Sequence, residues 1–499
     1  MTTPKIDEGS GYELYTRAFS QQTYDYIATY DLNITDKLGL KLLGGGTLKH
    51  FTIDSFDAST TGGLISPRLY TLSNSNVFVA PLESQITYKK GGYYGQASFD
   101  YDKFLYLEGT LRRDVSTALP HRNSIYDYLS VGSSFVFSQF IKKNWLDSAK
   151  FRVSYAEVGN DPTAGLAGAK TFSGTIAGSP MYSNSTTYVN FDKLKPELQK
   201  SWELGLEGTM FKNRLSFEFS WYKTNTQDQI FRVPQSTSTG YSTSLINAGE
   251  LENKGIELFV SATPIKTPNF QWQVSVNWAQ NKNVLISLDA GRTNLQLASF
   301  QSGITLNATV GEAYGTIKGT DYVYDVSGNK IVGDDGNYLQ TATADHVIGN
   351  IQAQWTGGIN NKITYKDFSF SFLIDVKKGG SVFSLDQAYG QDTGLYPETA
   401  GINDLGNPVR NTLADGGGYI NSGVMSNPAY TPTNGLPQYI TNTTRVDASD
   451  SSEASGFGYG ISANPDKAYV YDASYVKLRE AGLTYNFPRK FLSKTTSFA

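Results

Sequence analysis

The stretch FQWQVSVNW, Phe270–Trp278, decides the fold, because its apolar side chains occupy every second position. The apolar set is Trp272, Val274, Val276 and Trp278, and the polar set between them is Gln273, Ser275 and Asn277. Successive side chains of a β-strand point to opposite faces. The spacing therefore predicts a strand with one apolar face and one polar face.

The same period of two recurs along the chain, whereas the i, i+3, i+4 spacing of a helix is hard to find. We predict thirteen strands, at about 21–34, 38–57, 84–101, 103–113, 124–138, 148–159, 200–211, 214–232, 243–262, 270–288, 346–365, 368–384 and 468–487. Strands of globular proteins usually have about five or six residues, but a tilted strand that crosses a bilayer needs about nine to eleven. Many of the predicted strands are long enough to cross, which favours a membrane protein.

The connections between these strands alternate between short and long. Short ones lie near Asp36, Asp102–Lys103, Asn144, Lys212–Asn213, Pro264–Asn269 and Lys366–Asp367, and long ones at about 58–83, 114–123, 160–199, 233–242, 289–345 and 385–467. Up-and-down transmembrane barrels have short periplasmic turns and longer extracellular loops. We therefore expect an all-β, antiparallel, up-and-down transmembrane β-barrel, with 58–83, 160–199, 289–345 and 385–467 as extracellular loops.

Composition excludes several other classes of protein. The chain has 499 residues and a formal net charge of −4, so no basic surface favours nucleic acid. It has no cysteine, which removes disulfides, thiolate metal sites and a cysteine nucleophile. No apolar run is long enough for a transmembrane helix. Residues Met1–Gly11 carry charges and no apolar core, so they are not a signal peptide.

The predicted strand count is odd, whereas single-chain bacterial barrels have an even number of strands. A sheet edge left open in lipid would leave backbone N–H and C=O groups without partners. We therefore expect the sequence to be an incomplete barrel that lacks parts at both ends.

Several stretches resemble the SusC/RagA-type family of TonB-dependent outer-membrane transporters of Bacteroidetes. The first is LKPELQKSWELGLEGTMFKNRLSFEFSWYKTNTQDQI, and the others are NAGELENKGIELFV, FQWQVSVNWAQNKN, WTGGINNKITYKDFSFSFLIDVKKGG and YVYDASYVKLREAGLTYNFP, at 194–230, 247–260, 270–283, 355–380 and 469–488, with a weaker match at 93–117. Their order agrees with the family, and together they cover most of residues 90–490.

The resemblance implies a 22-stranded barrel closed by an N-terminal plug. Residues 1–499 would then be part of the barrel domain, supplying strands 8 to 20, with the plug absent. The implied function is import of an oligosaccharide or a peptide through the outer membrane, with no enzymatic activity and no cofactor. The implied partners are outer-membrane lipids, a SusD-like surface lipoprotein and, through the plug, the TonB–ExbB–ExbD complex.

Aromatic residues of the loops at 160–199 and 385–467 are the candidates for substrate contact, since tyrosine can stack on sugars and hydrogen-bond along a peptide. The candidates are Tyr182, Tyr188, Tyr389, Tyr396 and Tyr419. The alternative is that these tyrosines pack the loops together.

Other chemistry is weakly indicated. His50, His121 and His346 are isolated, which indicates incidental polar positions and no metal site. Asp321, Asp325, Asp334 and Asp335 could hold calcium, but Ser-Gly-Asn and Asp-Asp-Gly between them are hairpin turns. Glu203 and Glu207 share a strand face, as a glycosidase might use, but the favoured interpretation is solvated charge facing a watery lumen.

Two other functions stay open on the residues alone. One is a secreted or soluble β-rich carbohydrate-binding module or glycosidase, whose apolar stripes would be covered by another sheet. The other is a passive porin, which would lack the plug.

Overall fold

The computed structural model describes residues 10–162, 171–176, 179–183, 187–189, 193–234, 238, 243–289, 291–300, 303–429, 438–449, 459–461 and 463–487. For the pieces between 171 and 189 and for residue 234 only the backbone is described.

Thirteen long strands form one sheet whose strand order follows the sequence. They are β1 (Glu13–Asn33), β2 (Leu38–Ser59), β3 (Leu82–Tyr101), β4 (Leu105–Ser116), β5 (Ile125–Phe135), β6 (Leu146–Asn160), β7 (Glu197–Met210), β8 (Leu215–Gln227), β9 (Glu250–Lys266), β10 (Phe270–Ser287), β11 (Ala353–Tyr365), β12 (Phe368–Gly379) and β13 (Tyr475–Tyr485). The pairings from β1 to β6 and from β10 to β13 are antiparallel. Each predicted strand thus corresponds to one strand of this sheet, in the predicted order.

The long connections contain shorter elements. The strands are Thr61–Leu64, Ser75–Val77, Thr171–Ile176, Ser179–Ser183, Thr187–Val189, Ile230–Pro234, Thr243–Asn247, Asn294–Ser299, Thr305–Thr309, Thr316–Gly319, His346–Asn350, Ser381–Phe383, Tyr419–Ile420, Val424–Ser426, Tyr439–Thr441, Arg445–Val446 and Val470–Asp472. The α-helix α1 is Leu385–Asp392. Among the described residues, no helix is both long and apolar enough to cross a bilayer.

The predicted bounds were wrong where a wall strand and a loop strand follow each other closely. The predicted strand at 346–365 is two elements, because His346–Asn350 pairs with Thr316–Gly319 and β11 begins only at Ala353. The predicted strand at 468–487 divides in the same way, since Val470–Asp472 pairs with Ser381–Phe383. The alternation of apolar residues continues across the point at which the chain changes its pairing partner. The sequence pattern therefore does not show where one strand ends and the next begins.

The chain divides into two compact units. Unit 1 comprises residues 1–142, 148–206 and 223–250, and unit 2 comprises 143–147, 207–222 and 251–499.

In unit 1 the register places apolar side chains in continuous rows on one face of the sheet. One row, formed by residues directly opposite each other on successive strands, is Tyr30, Leu42, Ala97, Gly109, Val131 and Tyr155. Leu111 is 69% exposed and Val131 is 56% exposed on this apolar face. The opposite, polar face carries hydrogen-bonded side chains, such as Gln96 Nε2 donating to Glu108 Oε2 at 2.8 Å.

Unit 2 shows the same division into two faces. Ile363, Phe370 and Leu483 lie opposite each other on β11, β12 and β13, and Leu483 is 74% exposed. On the polar face the hydroxyl oxygens of Ser261 and Ser275 lie 2.9 Å apart. A sandwich or a soluble module would need a second layer of protein over these apolar residues. In neither unit do the described residues form such a layer.

Tight turns join the strands at one end of the sheet. Asp102 and Lys103, between β3 and β4, have φ angles of 46° and 57°, and successive positive φ angles are typical of the hairpin turns that match strand twist.

One predicted short connection was wrong. Residues 136–145 form a longer connection than 117–124, which was predicted long, and contain a 3-10 helix at Phe137–Phe140. Phe140 of this connection packs against Phe104 of the turn between β3 and β4, with ring centroids 5.0 Å apart.

Gly255, at the start of β9, lies where no side chain fits. A Cβ atom there would lie 2.3 Å from the Gln280 carbonyl oxygen and 2.5 Å from the Tyr222 hydroxyl. The neighbouring backbone of β10 cannot move away without breaking the ladder. Close approach of neighbouring strands is therefore the reason for glycine at this position.

We predict that Gly255→Ala destabilises the folded sheet by about 1–3 kcal/mol, the usual cost of overpacking. Gly132→Ala is the matched control, since a Cβ there would lie 3.9 Å from Ser154 Cβ, an ordinary contact. Urea-induced unfolding of both variants in detergent checks this. Equal midpoints for the two variants would contradict the close approach at Gly255.

Val274 and Ser275 are adjacent in β10 and test the assignment of the two faces. Val274 lies opposite Asn361 on the apolar face, whereas Ser275 contacts Ser261 on the polar face. Val274→Arg should disfavour membrane insertion by about 2–4 kcal/mol if the site is near the bilayer midplane, because the guanidinium would enter hydrocarbon. Ser275→Arg should have only a small effect on membrane insertion. Folded protein recovered from outer membranes is the measurement, and equal losses would contradict the faces.

Candidate functional site

The long connections of unit 2 form a packed layer with a small apolar core. Strands Asn294–Ser299, Thr305–Thr309, Thr316–Gly319 and His346–Asn350 make a four-stranded sheet. Ile304, Ile317 and Ile348 are buried beneath it, with Phe383 and Val470 packed against them. Since Phe383 and Val470 come from the connection between β12 and β13, the core joins residues of two different connections.

A buried carboxyl group also joins these two connections. Asp466 is only 2% exposed, and its Oδ2 accepts hydrogen bonds from Thr320 N at 2.8 Å and Thr320 Oγ1 at 3.0 Å. Lys467 Nζ donates to the Ile348 carbonyl oxygen. Burial raises the pKa of Asp466 above its ordinary value, and the hydrogen bonds from Thr320 oppose that shift only in part.

The raised pKa of Asp466 predicts a pH dependence of loop packing. In the packed state the carboxyl binds its proton more tightly than in the opened state, so stability falls as pH rises from the ordinary pKa through the raised one. Asp466→Asn should abolish this loss, because an amide does not ionise while its oxygen still accepts from Thr320. Hydrogen exchange of residues 316–320, measured across this pH window, checks it.

Asp472→Asn is the matched control for that experiment. Asp472 accepts from Ser474 N at 2.8 Å, and hydrogen bonds from Ser474 lower the pKa of its exposed carboxyl. Stability from this group is present above its ordinary pKa and is lost as pH falls through the lowered one. A wild-type protection factor of residues 316–320, the exchange rate corrected for the intrinsic effect of pH, that does not fall as pH rises through the raised pKa of Asp466 would contradict the role of Asp466.

Tyr419 packs against another tyrosine of its own connection, the one between β12 and β13. Its ring stacks on Tyr459 with centroids 4.3 Å apart and an interplanar angle of 18°. The hydroxyl of Tyr469, a residue only 1% exposed, donates to the Tyr459 carbonyl oxygen at 2.6 Å. Burial raises the pKa of both Tyr419 and Tyr469. Tyr419 and Tyr459 thus form a half-buried stacked pair, and the buried Tyr469 is hydrogen-bonded to the backbone of that pair.

Tyr389 and Tyr396 lie nearer the surface. Tyr389 lies on α1 and its side chain is 38% exposed. Tyr396 is half-buried, and its hydroxyl donates to Asp386 Oδ2; this hydrogen bond raises the pKa of Tyr396. Tyr182 and Tyr188 lie in the strands Ser179–Ser183 and Thr187–Val189, and their side chains lie outside the described residues.

The acidic cluster predicted as hairpin turns is confirmed as turns. Asp325 Oδ1 accepts from Ser327 N and Asn329 N at 2.9 and 2.8 Å, and Asp335 Oδ1 accepts from Asn337 N at 3.0 Å. The hydrogen bond from Asn329 Nδ2 to Asp325 Oδ2 at 3.0 Å, together with the backbone hydrogen bonds from Asn329 and Ser327, lowers the pKa of Asp325. Asp325 and Asp335 thus use carboxylate oxygens to hold the backbone of the two turns.

Sequence reasoning missed the aromatic site that these turns create. Lys330 Nζ lies 3.5 Å from the Tyr322 ring centroid and 4.9 Å from that of Tyr338, and burial lowers the pKa of Lys330. Bridges between Tyr322 and Gln340 and between Val332 and Tyr338 bring the rings together. The signal was available, because two hairpin turns on successive segments fix which residues face each other.

In unit 1 the polar face of the sheet carries a charged and aromatic cluster. Arg112 Nε donates to Asp114 Oδ1 at 2.8 Å, and Tyr128 donates its hydroxyl hydrogen to Asp114 Oδ2. The Arg112 guanidinium lies 5.4 Å from the Tyr94 ring centroid. Further along this face, Phe51 and Tyr88 stack at 4.4 Å. These groups can present aromatic faces and hydrogen-bonding groups to a polar ligand.

The arrangement does not resemble a hydrolytic site. Glu203 accepts a hydrogen bond from Arg152 Nη1, so this member of the carboxylate pair is tied to a cation. Within the described residues, no group of three or more His, Cys, Asp or Glu side chains could hold a metal ion.

Comparison with known proteins decides the family. The family model described as TonB dependent receptor-like, beta-barrel matches residues 3–356. The chain belongs to the TonB-dependent receptor family. The receptor is therefore an integral protein of the outer membrane, and its apolar face contacts lipid while its polar face lines the interior.

Relatives and solved structures agree with this family. TonB-dependent receptor P3 of Formosa agariphila is 28% identical over 435 residues, which cover 81% of this chain and 39% of that protein. TonB-dependent receptor SusC of Bacteroides thetaiotaomicron is 23% identical over 372 residues, covering 68% of this chain and 36% of that protein. The receptor chain thus spans well under half of the length of these relatives.

Among solved structures, the RagAB peptide transporter matches with a TM-score of 0.72 and 21% identity, covering 96% of this chain and 51% of that one. This likeness confirms the fold. With the exposed apolar stripes and the family match, the alternative of a secreted carbohydrate-binding module or glycosidase is wrong.

Proposed function

We propose that the receptor imports a large polar nutrient, an oligosaccharide or a peptide, across the outer membrane. In this proposal 1–499 is part of the barrel domain, strands 8 to 20 of 22. The connections at 58–83, 160–199, 289–345 and 385–467 face the outside and receive the substrate. The observation that carries the proposal is the packed layer of unit 2, in which two long connections share one core and one buried carboxyl group.

A packed loop layer suits capture better than diffusion. Loops that share a core keep their exposed side chains in fixed places, so a ligand loses less of its binding free energy to ordering them. Exposed aromatic groups on this layer include Tyr389, Tyr324 and Tyr471, which are 38%, 45% and 44% exposed. Tyrosine faces stack on sugar rings, and their hydroxyls hydrogen-bond to either sugar or peptide.

Partners belong to the same proposal. A SusD-like surface lipoprotein would close over the loop layer, and the TonB–ExbB–ExbD complex would act through a plug. The relatives named TonB-dependent receptors and the likeness to the RagAB peptide transporter support this proposal. A passive porin is disfavoured by the same relatives. No cofactor takes part.

Tyr389→Ala should weaken substrate capture about tenfold, since loss of one stacking aromatic group costs on the order of 1–1.5 kcal/mol. The measurement is the affinity of the receptor in outer membranes for defined oligosaccharides and peptides, compared at equal amounts of receptor on the cell surface. Tyr70→Ala is the matched control, because Tyr70 is 55% exposed on a different connection. Equal affinity of the Tyr389 variant and the wild-type receptor for every ligand bound would remove Tyr389 from the site.

A further inference from the structure

The apolar face of unit 1 contains a groove that the family assignment leaves unexplained. It has a volume of about 780 Å³ and crosses strands β1 to β5. Small residues form its floor, and they are Ala28, Gly44, Gly95, Ala97 and Gly109. A Cβ atom added at Gly44, Gly95 or Gly109 would meet nothing within 4 Å. The glycines are therefore not required by close packing within the protein.

The register shows why the small residues make one continuous groove. Ala28, Gly44 and Gly95 lie directly opposite each other on β1, β2 and β3. Ala97 and Gly109, opposite each other on β3 and β4, lie in the adjacent row on the same face. Larger side chains continue these two rows beyond the small residues. Leu42 and Val131 belong to the row of Ala97 and Gly109, and Leu111 belongs to the row of Gly44 and Gly95. The floor therefore runs obliquely across four strands between apolar walls.

This groove is continuous with the face that contacts lipid, so its contents come from the membrane. Lipid tails are as apolar as the leucine side chains around them, and shape decides which groups associate there. A flat apolar wall gives a passing acyl chain contact on one side only. A groove with a glycine floor and aliphatic walls gives contact on three sides, which increases dispersion attraction.

Charged groups lie beyond the groove at the end of the strands that leads to the long connections. Arg113, opposite Tyr93, donates to Asp127 from Nε at 2.5 Å and from Nη2 at 2.6 Å. Lys89 is exposed and lies four residues before Tyr93 in β3, so the two side chains are on the same face of the sheet. Its partner on β2 is His50. Where the long connections face outside, as proposed above, these cations lie at the outer headgroup level.

We propose that the groove binds one acyl chain of an outer-leaflet lipid, whose anionic headgroup contacts Lys89 and the Arg113 side of the ion pair. The occupant is a membrane lipid, held by the shape of its tail and the charge of its head. Gly44, Gly95 and Gly109 are then binding positions, at which any side chain would occupy the space of the tail.

The test uses the complete receptor in nanodiscs that contain phosphatidylglycerol with a diazirine on its acyl chain. After irradiation, the labelled peptides are mapped by mass spectrometry. We expect labelling of β1 to β4 to exceed that of the apolar face of β11 to β13 several-fold. Equal labelling of the two regions would overturn the proposal, as would a cross-link to a second receptor copy at the groove.

Matched variants separate groove binding from general contact with lipid. Ala97→Leu fills the groove and should lower labelling of β1 to β4 at least threefold. Ala481→Leu adds the same atoms on the apolar face of β13, opposite Phe372, and should leave that labelling unchanged. If the two variants behave alike, the groove does not select the lipid.

The headgroup contact has its own measurement. Lys89→Gln should reduce labelling by the phosphatidylglycerol probe but not by a phosphatidylcholine probe with the same acyl chain. Equal labelling by both probes in the wild-type receptor would overturn the anionic headgroup contact. Import is not needed for any of these measurements, so a failure of the proposed function would leave their outcome unaffected.

Discussion

The structure depends on one constraint, which is that backbone N–H and C=O groups cannot remain unpaired in hydrocarbon. Long antiparallel ladders meet this constraint across thirteen strands, and the period of two then follows, since each strand has one lipid face and one interior face. Positions such as Gly255 show how strictly the ladders are kept. There the side chain is absent so that Tyr222 can lie against the next strand.

The same constraint explains why function is placed in the connections. A wall strand can change its side chains only within the limits set by lipid on one face and pairing at both edges. The connections between β10 and β11 and between β12 and β13 have no such limits, and they form their own core from Ile304, Ile317 and Ile348. A rigid wall thus supports a separately packed layer, in which the exposed Tyr324 ring packs against the buried Tyr322 ring.

Sequence reasoning identified the wall well, because alternation over many residues is a strong and local signal. It failed where two elements share one alternation, as at His346–Asn350 and β11, since pairing partners lie far away in sequence. It also could not distinguish Tyr419 from Tyr389. Their local sequences contain no sign that one stacks on Tyr459 and the other reaches the surface, because that difference is created by chain segments about 40 or more residues away.

The hydrogen bonds between Thr320 and Asp466 also limit how this layer can diversify. The two residues are separated by 146 positions, and each belongs to a connection that would otherwise vary freely, as surface loops do. An insertion that displaced either partner would leave the buried carboxyl group without its hydrogen-bond donors in an apolar environment. New ligand preferences should therefore arise by exchange of residues on the rim of the layer, with the two connections inherited as a pair.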